Sequence, residues 1–232
     1  MDLLLEPKKV ARVFLLIVLC LTLAHIAVRV SAHYFGQGFG LFQLFDLEGE
    51  GNIPTLFSYT AWLLCSGIFS LIAFAKNRER ARYSFHWAGL AVIFLFLALD
   101  EALLIHERLS GRLHVGLHTS GFFYFAWIIP YSVLLVVLSF VYWRFLRHLP
   151  IRSRVLFLRA GSIYVVAIGL EALKGFQADV YGRDNVAFAI LVTIEEIFEM
   201  VGTVVLIYAL MSYMSVEYRG MQINFTSRRN DL

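Results

Sequence analysis

Six continuous apolar stretches dominate this chain, over about residues 10–30, 56–75, 85–107, 122–144, 155–174 and 186–213. A helix needs about 20 mostly apolar residues to cross a hydrocarbon core about 30 Å thick. The stretches do not alternate with a period of two, so they are not strands of a barrel. In lipid each backbone polar group must find its partner within the segment, which makes every run helical. The expected fold is therefore all-α: one domain over residues 1–232, a polytopic bundle of six transmembrane helices. Composition agrees, with 59% hydrophobic and only 16% charged residues, against about 25% charged in a soluble domain. That excludes a soluble enzyme, a disordered chain and a nucleic-acid binder.

Positive charge orients the bundle. Lys8, Lys9 and Arg12 precede the first run, Lys76, Arg78, Arg80 and Arg82 follow the second, and Arg144, Arg147, Arg152, Arg154 and Arg159 surround the fourth connection. With Arg219, Arg228 and Arg229 in the tail, one side holds 15 of the 20 basic residues. The positive-inside rule puts that side, and both termini, in the cytoplasm. The N-terminal segment also resembles a secretory signal ending at Val30-Ser31-Ala32. Its apolar stretch is long for a signal and Arg29 sits just before the site, so a retained span is expected. Cys20 and Cys65 both fall inside spans and imply no disulfide framework.

The anomaly is acid inside apolar runs. Of 17 Asp and Glu, seven lie within or at the end of a span: Asp100, Glu101, Glu107, Glu171, Glu195, Glu196 and Glu199. A centrally placed Asp raises the insertion free energy by about 2.5–3.5 kcal/mol. At 1.5 Å per residue the seven share a slab in the middle and outer leaflet. Glu195-Glu196-x-x-Glu199 presents its carboxylates over one helical turn, whereas Asp100 and Glu107 share a face two turns apart. Lys174 and Arg108 can neutralise two acids at most. Cations, protons or further pairing must neutralise the rest.

His106 beside Glu107 tilts the neutraliser towards a divalent metal of the iron, manganese or zinc type, with calcium less suited because it takes oxygen alone. The expected ligands are Asp100, His106, Glu107, Glu171, Glu195, Glu196 and Glu199, with Glu101 as the catalytic, proton-handling group. The di-iron and di-manganese carboxylate pattern has Glu-x-x-His on two of its helices; this chain has the carboxylates but lacks that motif. His25, His114 and His118 are further candidate imidazoles.

Other features weigh less. Asp46-x-Glu48-x-Glu50-Gly51-Asn52 opens like a calcium loop, but Phe57 stands where the twelfth-position acid belongs, and a solvated acidic turn is expected. The stretch Phe35–Phe45 suits a segment lying on the membrane surface. Trp62, Trp87, Trp127 and Trp143 read as interfacial anchors, and Pro130 as a kink in the fourth span. Neither a nucleophile elbow nor a phosphate loop is present.

Leu99-Asp100-Glu101-Ala102 with His106-Glu107, Asn52-Ile53-Pro54-Thr55, and Glu195-Glu196 with Glu199 resemble bacterial multi-pass membrane proteins of uncharacterised activity. The resemblance covers most of the chain and implies the bacterial cytoplasmic membrane. The chain is not similar to alkaline ceramidases or histidine-rich membrane hydroxylases, whose several His residues it lacks. Three functions suit these residues. One is a metal-dependent oxidoreductase or hydrolase acting on a lipid-soluble or periplasmic substrate. Another is a proton- or cation-coupled transporter or channel using the acids as a relay. The third is an accessory subunit of a membrane complex. Membrane lipids are the expected surroundings, and no nucleic acid is expected as a partner.

Overall fold

The structure is a computed structural model that describes residues 6–35 and 41–218, His33 and Phe35 by their backbones only. It is all-helical among those residues: α1 (Pro7–Phe35), a single turn α2 (Phe42–Phe45), α3 (Ile53–Arg78), α4 (Ser84–Leu103), α5 (Ile105–Leu117), α6 (Ile128–His148), α7 (Ile151–Tyr181) and α8 (Val186–Glu217). Five helices, α1, α3, α4, α6 and α7, are long and apolar enough to cross a membrane. They do not include α8, which carries Glu195, Glu196 and Glu199 and packs against α1, α3 and α7. Large apolar side chains point outward along the bundle, among them Leu16, Val92, Val133 and Phe140. So large an apolar exterior suits lipid, not water.

Antiparallel pairs α3–α4 and α7–α8 form the closest packing. Ser66 Oγ on α3 donates to the Ala91 carbonyl on α4 at 2.8 Å. On α8, Gly202 lets α7 approach so closely that a Cβ there would meet Ile163 at 3.2 Å. At one end of the bundle Trp87 packs against Phe145 and Tyr213, with ring centroids 4.9 and 4.8 Å away. Trp62 and Trp87 are therefore core residues rather than interfacial anchors, whereas Trp143 is 57% exposed. Cys65 is buried and Cys20 faces outward.

Two expected boundaries move. The third run does not continue through His106 and Glu107: it breaks at Leu104, whose φ of 55° is left-handed, and α5 leaves in a new direction. A non-glycine residue seldom adopts this conformation, and Asp100 secures it by accepting the His106 N–H at 2.7 Å. The fourth run begins at Ile128 rather than near 122, after a 3₁₀ turn at Gly121–Phe123 that packs on α7 through Phe122 and Phe176. Pro130 consequently lies in the first turn of α6, where its missing N–H has no intrahelical partner to lose. It introduces no kink.

The loop after α1 is only partly solvated: Glu48 and Gly51 are exposed, but its other side chains tie it down. Asp46 is buried and accepts from Arg29 at 2.8 Å, and the same guanidinium reaches Glu48 at 2.7 Å. Asn52 closes the loop by donating to the carbonyls of Asp46 and Gly49, while its Oδ1 caps α3 at the Thr55 N–H. Residues 36–40 of the expected surface segment lie outside the described residues, as do Arg219, Arg228 and Arg229.

Burial works to raise the Asp46 carboxyl pKa, but the His25 imidazole, Arg29 and the Glu48 N–H together more than offset it and hold the group below its ordinary 3.8. A lowered folded-state pKa contributes stability that is fully present above the unfolded value and lost as pH falls through the folded one. Asp46→Asn is therefore less stable than wild type at neutral pH. Below about pH 4 the two stability curves converge. Thermal unfolding across an acid series checks this; parallel curves would show that ionised Asp46 contributes nothing.

Candidate functional site: an acid-lined cavity between α4, α6, α7 and α8

One cavity of about 760 Å³ collects the acids that the sequence singles out. Asp100, Glu101, His106, Glu107, Glu171, Glu195, Glu196 and Glu199 all line it, brought together from α4, α5, α7 and α8. Antiparallel helices achieve this without any local motif. The end of α4, the end of α7 and the start of α8 meet at the same end of the bundle, and the break at Leu104 folds α5 over them.

Three of these acids already have partners. Lys174 on α7 pairs with Glu171 one turn earlier and with Glu195 on α8 at 3.1 Å. Asp100 accepts the His106 N–H on Oδ1 and the Tyr131 hydroxyl on Oδ2 at 2.6 Å, tying α4 to α5 and α6. Its Oδ1 also lies 3.4 Å from His106 Nδ1. An acid behind the imidazole orients the ring and leaves Nε2 for whatever the cavity holds.

Glu101, Glu107, Glu196 and Glu199 stand differently. Their side chains make no hydrogen bond or ion pair among the described residues. Glu101 lies within electrostatic reach of Glu199, His106 and Asp100, and Glu196 of Glu195, Glu199 and Glu101. No three or more His, Cys, Asp or Glu side chains among the described residues are already gathered as a ligand set for a metal ion. Basic residues on the lining are few. Besides Lys174 there is Arg183, whose guanidinium lies over the rings of Tyr124 and Phe125. Arg108 is exposed.

The other imidazoles are engaged elsewhere. His25 Nδ1 accepts the Leu47 N–H at 3.0 Å, and Nε2 meets Thr193 Oγ1 at 3.1 Å. Because the Thr193 hydroxyl donates to the Ala189 carbonyl, it accepts from His25, and both ring nitrogens are used. His25 thus fastens the first loop to α8. His114 lines the cavity edge and bonds Thr119 at 3.0 Å, while His118 borders a separate small pocket with Asp179.

The sequence reading missed Glu50. Arg29 and Asn52 shape the first loop so that Glu50 lines the cavity within electrostatic reach of His106, Glu107 and Lys174. Its Oε2 is buried without a hydrogen-bond partner among the described residues, and burial raises its pKa above the ordinary carboxylate value. Alternation of three acids before Gly51 was the available signal, and it reads equally well as a surface turn.

Towards the other end of the bundle the lining is mostly apolar, with Leu90, Phe94, Leu138, Phe145, Phe157 and Leu206 among it. Between the two parts Trp62 Nε1 donates to Tyr164 and Thr203 at 3.1 and 3.0 Å, joining α3, α7 and α8. No curated protein and no solved structure matches the chain. Residues 11–214 match the family described as a domain of unknown function (DUF8692), and the chain belongs to that family.

Proposed function

We propose that this chain is a six-span protein of the bacterial cytoplasmic membrane, with α8 as the sixth span and both termini inside. It binds a divalent metal at the acidic end of the cavity and acts there on a lipid-soluble substrate, as an oxidoreductase or hydrolase. Positive residues at the Lys76 and Arg147 end support the orientation. One observation carries the metal reading: His106 is backed by Asp100 and faces a cavity into which Glu101, Glu107, Glu196 and Glu199 extend without partners. An imidazole oriented by a carboxylate is the usual second layer of a metal site, and imidazole with carboxylate suits iron, manganese or zinc.

Glu residues on fixed backbones change rotamer rapidly, so these side chains can close on a cation without moving a helix. Glu171 and Glu195 stay with Lys174, and Asp100 stays behind His106. The proposed ligands are then His106, Glu107, Glu196 and Glu199, supplemented by Glu50. Glu101 is positioned to take up or release a proton.

Elemental analysis of the detergent-purified protein tests this. About one or two equivalents of iron, manganese or zinc are expected, in line with one- and two-metal sites. Glu199→Gln, which keeps the shape and removes the charge, should lose most of that metal while eluting as a folded protein. Wild-type protein that is folded and free of stoichiometric metal would overturn the reading and favour a proton relay through the same acids.

A further inference from the structure

The cavity's shape carries the substrate class further, granted that a lipid-soluble molecule is what it takes. Its lining on α7 runs from Phe157 to Lys174, which at the α-helical rise is a length of about 25 Å. A volume of about 760 Å³ spread over that length makes the cavity elongated rather than round. An elongated space with apolar walls suits an extended aliphatic chain lying along it. Polarity is divided along the same axis, with unpartnered carboxylates and Trp127 at one end and Phe94, Leu138, Phe145, Phe157 and Leu206 at the other. The carboxylates can only accept hydrogen bonds or bind positive charge.

We propose that the cavity binds an amphiphile with an aliphatic tail whose head is a hydroxyl or amine. The head sits beside Glu101 at the acidic end, and the aliphatic chain extends past Trp62 towards Phe145. A head of this kind donates to a carboxylate and brings no further negative charge to an acidic site. The chain replaces lipid contacts with apolar wall contacts, so chain length decides what fits.

Gly161 gives a clean way to block the chain without touching the acids. It lines the cavity, and a Cβ placed there meets nothing within 4 Å. The test uses two brominated fatty alcohols in proteoliposomes, one brominated mid-chain and one next to the head, because bromine quenches indole fluorescence at contact. Trp62, Trp127 and Trp143 are read one at a time in variants with the other two changed to Phe; Trp87 does not line the cavity and is kept. The mid-chain probe should quench Trp62 and the head-proximal probe Trp127. Gly161→Phe should abolish the quenching of Trp62 and leave that of lipid-facing Trp143 unchanged, and Gly161→Leu serves if the larger side chain prevents folding.

Equal quenching of Trp62 in wild type and Gly161→Phe would overturn the proposal. So would a Trp62 that is never quenched while Trp143 is. Metal content measured on the same preparations separates this inference from the one it rests on. Quenching of Trp62 in metal-free protein retains the chain site and removes the metal, whereas bound metal without that quenching does the reverse.

Discussion

Lys174→Met lowers the apparent melting temperature of the detergent-solubilised protein by about 10 °C, the largest loss expected from any single change at the cavity. Lys174 is 13% exposed and holds two carboxylates that are each 7% exposed, Glu171 and Glu195. Removing one member of a buried ion pair leaves an uncompensated charge and destabilises by about 3–5 kcal/mol. In a chain of this size each kcal/mol shifts the midpoint by about 2–4 °C. Adding Glu171→Gln and Glu195→Gln to Lys174→Met should restore most of the loss, because neutral amides no longer need the ammonium. A Lys174→Met protein as stable as wild type would show that these acids do not depend on Lys174.

Asp100→Ala is the second. Its carboxylate holds the His106 N–H and the Tyr131 hydroxyl, so one side chain joins α4, α5 and α6. Hydrogen bonds to a charged group contribute about 1.5–3 kcal/mol each. The expected destabilisation is about 3 kcal/mol, and Tyr131→Phe, which removes one of the two bonds, should show about half of it. The start of α5 should also open. Amide hydrogen exchange at His106 should accelerate in Asp100→Ala and not in Tyr131→Phe. Unchanged exchange in Asp100→Ala would mean that the turn at Leu104 holds without its acid.

What the sequence shows and hides follows from the physics of each signal. Hydropathy depends only on composition along a segment, so α1, α3, α4, α6 and α7 are legible, with ends displaced by as much as seven residues at Tyr181. The break at Leu104 is not. Leu103-Leu104-Ile105 contains neither Gly nor Pro, and the conformation is held by Asp100 from one turn earlier. The acids of α4, α7 and α8 are legible as a common depth because an antiparallel bundle turns chain position into depth. Which acid pairs with which base is not, because pairing depends on helix rotation. Lys174 was legible as the partner of Glu171 three residues away, yet its contact to Glu195 crosses between helices. Glu50 was illegible for the same reason: Arg29 and Asn52 aim its loop.

The hairpin of α7 and α8 also bears on how the chain enters the bilayer. Presented alone to lipid, α8 would carry Glu195, Glu196 and Glu199 with no countercharge, a heavy penalty for one segment. Its turn to α7 spans only Gly182–Asn185, and Asn185 both caps α8 at the Phe188 N–H and bonds the Gly182 carbonyl. The Lys174 ammonium is thereby beside Glu195 as soon as the two helices pair. On the six-span reading proposed above, membrane insertion of α8 is thus a two-helix event, in which α7 supplies the countercharge.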